Sequence, residues 1–228
     1  MHRKQELYLK QNFGSRVTFD ETERKLYGHD IAAIPSLLKP LIGGTIPDAV
    51  VQPDSEEELI GLIRWAAENG IPLTPRGKAS SGYGGVLPVK RGVVVDFYRM
   101  NRIITVDPEA QSATVQAGVV WEKLDRELEH HGLTLRLYPT SYPGSTVGGW
   151  LAQGGAGIGS YEAGWFRDNV MSARVVLPDG TVREFRDYEL DLIADAEGMI
   201  AGAHAKGHGK PDASHDRRPC AAGHGAHD

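Results

Sequence analysis

PDAVVQPDSEEELIGLIRWAAENGIPLTPRGKASSGYGG, Pro47 to Gly85, is the stretch that decides the fold. PDAVVQP reads as a short strand. Behind it, Ser55 and Glu58 stand at capping-box spacing, which satisfies free N–H groups in a first helical turn. Leu59, Leu62, Ile63 and Ala66 then recur at i, i+3, i+4 and i+7, giving one apolar face, and Gly70 is a helix stop. IPLTP follows as a second strand. This βαβ-like unit runs into PRGKASSGYGG, Pro75 to Gly85, where four of eleven positions are glycine. Turning a corner does not require that much backbone freedom. Glycine lets successive backbone N–H groups approach an anion closely, and Arg76, Lys78, Ser80 and Ser81 could add hydrogen bonds. The pattern fits neither a Walker A loop nor GxGxxG. Taken alone, it also reads as a surface connection.

A second glycine concentration lies about seventy residues on. PTSYPGSTVGGWLAQGGAGIGSYEAGW, Pro139 to Trp165, turns at Pro143-Gly144 and passes Ser145 and Thr146 into a helix-like segment. A helix N-terminus with Ser and Thr caps is an expected anion site. Apolar residues interleave both regions, as a packed ligand site requires. Together they suggest a long ligand gripped at more than one point.

The rest of the chain sets bounds. Its 228 residues suit one large domain or two small ones sharing a core. A formal net charge of −5 argues against nucleic-acid binding through phosphate neutralisation. No apolar run approaches the roughly 18 residues that span a bilayer, and the charged N-terminus lacks a signal-peptide centre. The expected location is therefore the cytoplasm. The single cysteine, Cys220, leaves no internal disulfide or CxxC site, so any redox chemistry needs a bound cofactor. GVVVDFY, RIITVD and SATVQAG are β-branched runs, and Trp121 to Gly132 is a helix with Trp121, Leu124 and Leu128 on one side. SARVVLP and TVREF flank Asp179-Gly180, a hairpin signal. The class is α+β. Trp65 and Trp121 read as packing residues, and so do Tyr161 and Trp165, with approach to the ring of a flat ligand as the alternative for these two.

Composition breaks near Ile200. Ala201 to Asp228 holds no Val, Ile, Leu, Met or aromatic residue, so residues 201–228 read as a disordered tail. Five of the nine histidines fall there, and no metal site is expected from them. The folded part is expected at roughly 15–200.

IPDAVVQPDSEEELIGLIRWAAENGIPLTPRGKASSGYGG, the run from VVVDFYRM to LRLYPTS, STVGGWLAQGGAGIGSYEAGWFRDNVMSARVVLPDGTVREF and LIADAEG together resemble the FAD-binding domain of the vanillyl-alcohol oxidase and p-cresol methylhydroxylase superfamily. The closest likeness is to the glycolate oxidase and D-lactate dehydrogenase flavoproteins, over Ile46 to Gly198. The resemblance implies a two-subdomain FAD-binding fold at 46–200, with subdomains of about 46–105 and 106–200, after an N-terminal extension at 1–45. It implies that Arg76, Gly77, Lys78, Ala79, Ser80, Ser81 and Gly82 cradle the FAD pyrophosphate. Pro139, Thr140, Ser141, Gly144, Ser145, Thr146, Gly148 and Gly149 would line the flavin and ribityl chain. Gly154, Gly155, Gly157, Gly159 and Ser160 would follow the rest of the cofactor. Gly118 would lie where the chain passes the dinucleotide, and Asp195, Glu197 and Gly198 would begin the segment closing over the adenosine half. With no histidine in either glycine region, FAD is expected to be non-covalent.

Members of this superfamily carry a substrate domain after the flavin domain, and a β-branched closing strand after the EG segment. Here MIAGAHAKGHGK stands in that place, which reads as a truncated or frame-shifted product. The expected function is an FAD-dependent oxidoreductase, or its flavin-binding portion, whose ancestral reaction oxidises a 2-hydroxy acid. The alternatives are a non-catalytic flavin-binding subunit needing a partner chain, and an inactive remnant. No catalytic base can be named.

Overall fold

The computed structural model describes residues 1–32, 37 and 44–186, together with the backbone of 199–206 and 208–209. The first half of the fold runs α1 (Arg3–Phe13), a 3-10 turn (Gly14–Arg16), β1 (Val17–Thr18), α2 (Glu21–Leu26), β2 (Ala49–Val51), α3 (Glu56–Glu68), β3 (Leu73–Arg76) and β4 (Val93–Asp96). Its sheet has the order β1-β2-β4-β3, with β2, β4 and β3 parallel and β1 antiparallel at the edge. Ala49–Val51 and Val93–Asp96 are buried along their whole length, as parallel strands covered on both faces are.

α3 forms as its pattern requires. Leu59, Leu62, Ile63 and Ala66 are buried, and Gly70 adopts φ +63°, the left-handed turn that ends a helix. Half of the expected capping box is present. The Ser55 hydroxyl accepts the Glu58 N–H at 3.2 Å. The Glu58 carboxylate instead pairs with Arg16 and accepts the Asp54 N–H at 2.9 Å. Trp65 packs as expected, stacked on Tyr8 at 4.7 Å.

Residues before position 15 belong to the fold, contrary to the expected boundary. Leu9 and Phe13 are fully or nearly buried. A buried apolar pair at i, i+4, with Tyr8 beside it, docks a helix whose other positions are mostly charged or polar, and that pair is easily lost among the polar residues of the N-terminus.

The second half contains β5 (Ile103–Asp107), β6 (Ser112–Gln116), α4 (Trp121–His130), β7 (Leu133–Thr134), α5 (Val147–Ala152), α6 (Ser160–Ala163), a 3-10 turn (Phe166–Asn169), β8 (Val170–Val176), β9 (Val182–Arg186), β10 (Met199–Lys206) and β11 (His208–Gly209). The order β5-β6-β10-β8-β9 makes an all-antiparallel sheet, and β11 pairs with β7. The β8–β9 hairpin forms around Asp179-Gly180, with a loop longer than two residues because the last register pair is Val176 with Val182. Its core is aromatic: Trp150 stacks on Phe166 at 4.7 Å, and Trp121 meets both edge-on at 5.2 Å. The halves are joined by Arg174 on Glu56 and by Arg64 donating to the Gly180 carbonyl at 3.1 Å. No helix among the described residues is long and apolar enough to cross a membrane.

β10 moves the expected tail boundary. The chain does not leave the fold at Ile200 but continues through Lys206 as the central strand of this sheet. The place of the closing strand is thus filled. Two open edges, β6 and β8, offer backbone hydrogen bonds on either side of it, and such a slot can be met by backbone alone, which apolar composition does not report. Residues 207 and 210–228, the remainder of the expected tail, lie outside the described residues. Ala203 pairs with Val115 on one side and Ala173 on the other. Ala203→Pro removes a donor from a central strand and is expected to lower unfolding free energy by about 3 kcal/mol or more in urea melts. An unchanged midpoint would show that β6 and β8 do not depend on this strand.

Candidate functional site

A cavity of about 850 Å³ lies between the two halves, lined from one side by Pro75–Gly82, Val86 and Phe97 and from the other by Ala117, Thr140 and Ser141, Ser145 and Thr146, Gly148–Gly154 and Arg167. That is a small-molecule size. Strand ends explain its position. β3, β4 and β6 end at Arg76, Asp96 and Gln116, and the cavity takes in the last two residues of β3, Pro75 and Arg76, together with the residue that follows each strand, Gly77, Phe97 and Ala117. For the parallel pair β3 and β4 this is the crevice beyond the carboxyl ends, where open sheets receive ligands.

The two glycine regions meet here. A Cβ on Gly77 would overlap the Thr146 hydroxyl, which itself accepts the Gly149 N–H at 3.3 Å and caps α5. Farther along, Gln153 Nε2 donates to Ser81 Oγ at 2.8 Å. Between these ties, the backbone N–H groups of Gly77, Lys78, Ala79, Ser80, Ser81, Gly82 and Tyr83 donate to no acceptor among the described residues. Backbone donors that leave solvent are nearly always paired; in this run only Ala79 is buried, and the run's N–H groups are left to water or to a ligand. Successive unpaired donors on a loop bordering a cavity are suited to a phosphate-bearing ligand. Ala79 holds φ +52° within the run. That left-handed conformation costs an L residue roughly 1–2 kcal/mol, and such strain clusters at ligand sites.

Three expectations about this site change. The Arg76 side chain is not available to a ligand phosphate. Its guanidinium donates to the carbonyls of Tyr27, His29 and Leu26 at 3.2, 2.9 and 3.4 Å and lies 5.1 Å from the centre of the Tyr27 ring. Burial pushes it below its ordinary value, against the pull of Asp96, Tyr27 and Asp30. The α5 N-terminus is not an anion site either, because its N–H groups are taken. Val147 donates to the Val119 carbonyl and Gly148 to that of Ala117, both at 2.9 Å, and Gly149 to Thr146. Finally, Tyr161 is fully exposed and Trp165 half-exposed rather than packed.

Of the residues expected to touch the ligand, Arg76 to Gly82, Thr140, Ser141, Ser145, Thr146, Gly148, Gly149 and Gly154 line the cavity. Gly118, Pro139, Gly144, Gly155, Gly157, Gly159 and Ser160 do not. Several of these glycines answer to packing. A Cβ on Gly118 would overlap the Phe97 carbonyl oxygen; on Gly155 it would come 2.8 Å from Phe166 Cβ; on Gly157 and Gly159 it would overlap the carbonyl oxygens of Tyr138 and Arg136. Ser160 Oγ accepts the Gly157 N–H at 2.9 Å, and Gly144 is exposed. Asp195, Glu197 and Gly198 lie outside the described residues. The lining also includes Asp30, Tyr83, Phe97, Ala117, Trp150, Leu151, Gln153 and Arg167, which sequence reasoning missed. Phe97 and Ala117 had a signal, since each directly follows a strand. Asp30 had none, because its partner on the glycine loop, Gly84, is 54 positions away. No cluster of three metal-ligating side chains occurs among the described residues.

Asp96 anchors the end of β4. Buried at 7% exposure, it accepts from Tyr27 Oη at 2.9 Å, Gln52 Nε2 at 2.8 Å and the Tyr98 N–H at 3.0 Å. Burial first, and then the Asp96 carboxylate, push the Tyr27 phenol up to about 12. A raised folded value favours the neutral phenol. Its contribution to stability is therefore complete below the unfolded value of about 10 and lost as pH rises to about 12. Tyr27→Phe is expected to flatten the fall of melting temperature between pH 10 and 12; an identical fall in both proteins would remove Tyr27 from that loss. In a second experiment, Gly77→Ala should cost about 1–3 kcal/mol from overpacking. Thr146→Ala in the same chain should return part of it, whereas additive effects in a double-mutant cycle would mean that the two loops do not touch.

Comparison with known proteins agrees with this geometry. Residues 47–186 match the FAD binding domain family. The mitochondrial D-lactate dehydrogenase [cytochrome] of Arabidopsis thaliana is 34% identical over 174 residues, 76% of this chain and 29% of that protein. Glycolate oxidase subunit GlcD of Bacillus subtilis (strain 168) is 34% identical over 138 residues, 60% of this chain and 29% of its own length. A solved alkyldihydroxyacetonephosphate synthase superposes with a TM-score of 0.82 at 30% identity, covering 93% of this chain and 45% of that one. The chain thus spans less than a third of the length of these two sequence relatives. The likeness is to the family as a whole rather than to the glycolate oxidase and D-lactate dehydrogenase branch alone. The cavity fits the cofactor: unpaired loop amides suit a pyrophosphate, and Phe97, Trp150 and Leu151 offer apolar wall. No histidine or cysteine is among the described lining residues. With an α+β, two-subdomain fold of the p-cresol methylhydroxylase type and a family match over most of its length, the chain belongs to the FAD binding domain family and takes FAD as a non-covalent cofactor.

Proposed function

We propose that this chain is the flavin-binding portion of an FAD-dependent oxidoreductase whose reaction oxidises a 2-hydroxy acid by hydride transfer. The observation that carries the reading is the run of unpaired N–H groups from Gly77 to Tyr83 at a cavity closed by a second glycine region. FAD, when bound, supplies a two-electron acceptor. The chain's own residues bind and orient. The amides of Gly77 to Gly82 receive the pyrophosphate. Thr140, Ser141, Ser145, Thr146, Gly148 and Gly149 flank the flavin and ribityl chain, and Gly154 borders the remainder. Phe97, Trp150 and Leu151 keep water from one wall. The names of two relatives, a D-lactate dehydrogenase and a glycolate oxidase subunit, support the substrate class. The third name is a synthase, so what all three share with this chain bears on the cofactor more than on the substrate.

A second reading, a flavin-binding subunit whose substrate site is completed by a partner chain, is favoured by one observation. Asp30, the only carboxylate among the described lining residues, already accepts two backbone N–H groups. Its oxygens hold two segments of the backbone together, and no other described lining residue offers a carboxylate.

Incubating the purified chain with FAD, removing the excess and recording the visible spectrum tests the shared premise. A retained flavin band that leaves the pellet on acid precipitation is expected; a colourless folded protein would refute it. Anaerobic addition of 2-hydroxy acids then separates the readings. Bleaching by the chain alone supports the first, and bleaching only with a co-purified polypeptide supports the second.

A further inference from the structure

Asp30 is 8% exposed and sits on a segment that precedes the residues of the family match. Its two oxygens are divided between two segments. Oδ1 accepts the Ala32 N–H and Oδ2 the Gly84 N–H, each at 2.8 Å. Ala32 also lies against the loop, 3.6 Å from where a Cβ on Gly82 would stand. At the other end of the loop, Arg76 donates to the carbonyls of Leu26, Tyr27 and His29. The segment 26–32 is therefore fastened to the glycine loop at both ends, by a cation where the loop leaves β3 and by a carboxylate where the unpaired run stops.

We propose that Asp30 is a positioning residue for FAD: its carboxylate latches the N-terminal segment to Gly84 and fixes the N–H groups of Gly77 to Tyr83 in the conformation that receives the pyrophosphate. The proposal rests on the reading of the cavity as an FAD site. It also makes residues outside the matched domain part of that site. A carboxylate near a bound diphosphate repels it, so Asp30 is retained against an electrostatic cost. Both of its oxygens are engaged by amides. Latching and repulsion predict opposite effects when the charge is removed.

Asp30→Asn keeps the shape but cannot accept both N–H groups through two oxygens. In the full-length chain, FAD affinity is read by quenching of tryptophan fluorescence on titration, and amide hydrogen exchange is followed at Gly84 in the FAD-free protein. The latch predicts FAD affinity weaker by about tenfold or more, the scale of a lost charge-assisted hydrogen bond. It also predicts faster exchange at Gly84, with Val94 and Val95 in β4 unchanged as a control on the fold. Equal or tighter FAD binding by Asp30→Asn, alongside a wild-type chain that binds FAD, would overturn the latch. If the wild-type chain binds no FAD yet Gly84 exchange accelerates in the variant, the cofactor reading falls and the latch between the segments stands.

Discussion

A backbone N–H without an acceptor in the protein is left to water or to a ligand, and seven consecutive ones in this chain find none among the described residues. The surrounding structure serves to keep that run open. β3 ends where the run begins, so the sheet cannot absorb its donors. The Arg76 side chain, which could have folded back over the loop, is drawn instead to carbonyls at and just after the end of α2. Asp30 takes the N–H of Gly84 and marks where the run ends. The run of main-chain donors carries one fixed charge of its own, Lys78, whose ammonium lies 4.7 Å from the centre of the Tyr98 ring, while Arg76 and Asp30 stand at the margins of the loop.

Missing side-chain atoms set the distances elsewhere. Gly77 lets the first loop touch Thr146, and Gly148 lets α5 lie against Ala117, where a Cβ would come within 2.6 Å of that residue's own Cβ. Gly118 allows the chain to pass under the Phe97 carbonyl. The two halves are then held in this relation by side chains far from the cavity, Arg174 on Glu56 and Arg64 on Gly180. The mouth is shaped by glycine, and its width is held by arginine.

Sequence made the βαβ unit legible because α3 carries both a cap and a complete apolar stripe, signals local to the helix. The backbone freedom of the glycine loop was legible for the same reason, since it is written in consecutive residues, though alone it also read as a surface connection. What escaped was non-local. Asp30 carries no pattern of its own and matters through Gly84. Arg76 looked like a phosphate ligand by type, and only the position of α2 shows its guanidinium engaged. Glycines such as Gly118 and Gly157 looked like ligand contacts, whereas they are demanded by a carbonyl crossing close by. β10 was obscured because burial was inferred from apolar residues, while its place depends on the edges of β6 and β8.

That strand also governs the order of assembly. Without it the second sheet is two separate hairpins, β5–β6 and β8–β9, each with an unsatisfied inner edge. The residues that join them lie more than eighty positions beyond β6. Pairing across such a span closes a large loop before any contact repays it, and is slow. During synthesis, at about 5–20 residues per second, the β6 edge waits for several seconds before its neighbour exists. Exposed strand edges are templates for association with other chains. This domain is therefore most exposed to misassembly during the interval before its middle strand emerges from the ribosome, and a chaperone that shields β-edges would act then.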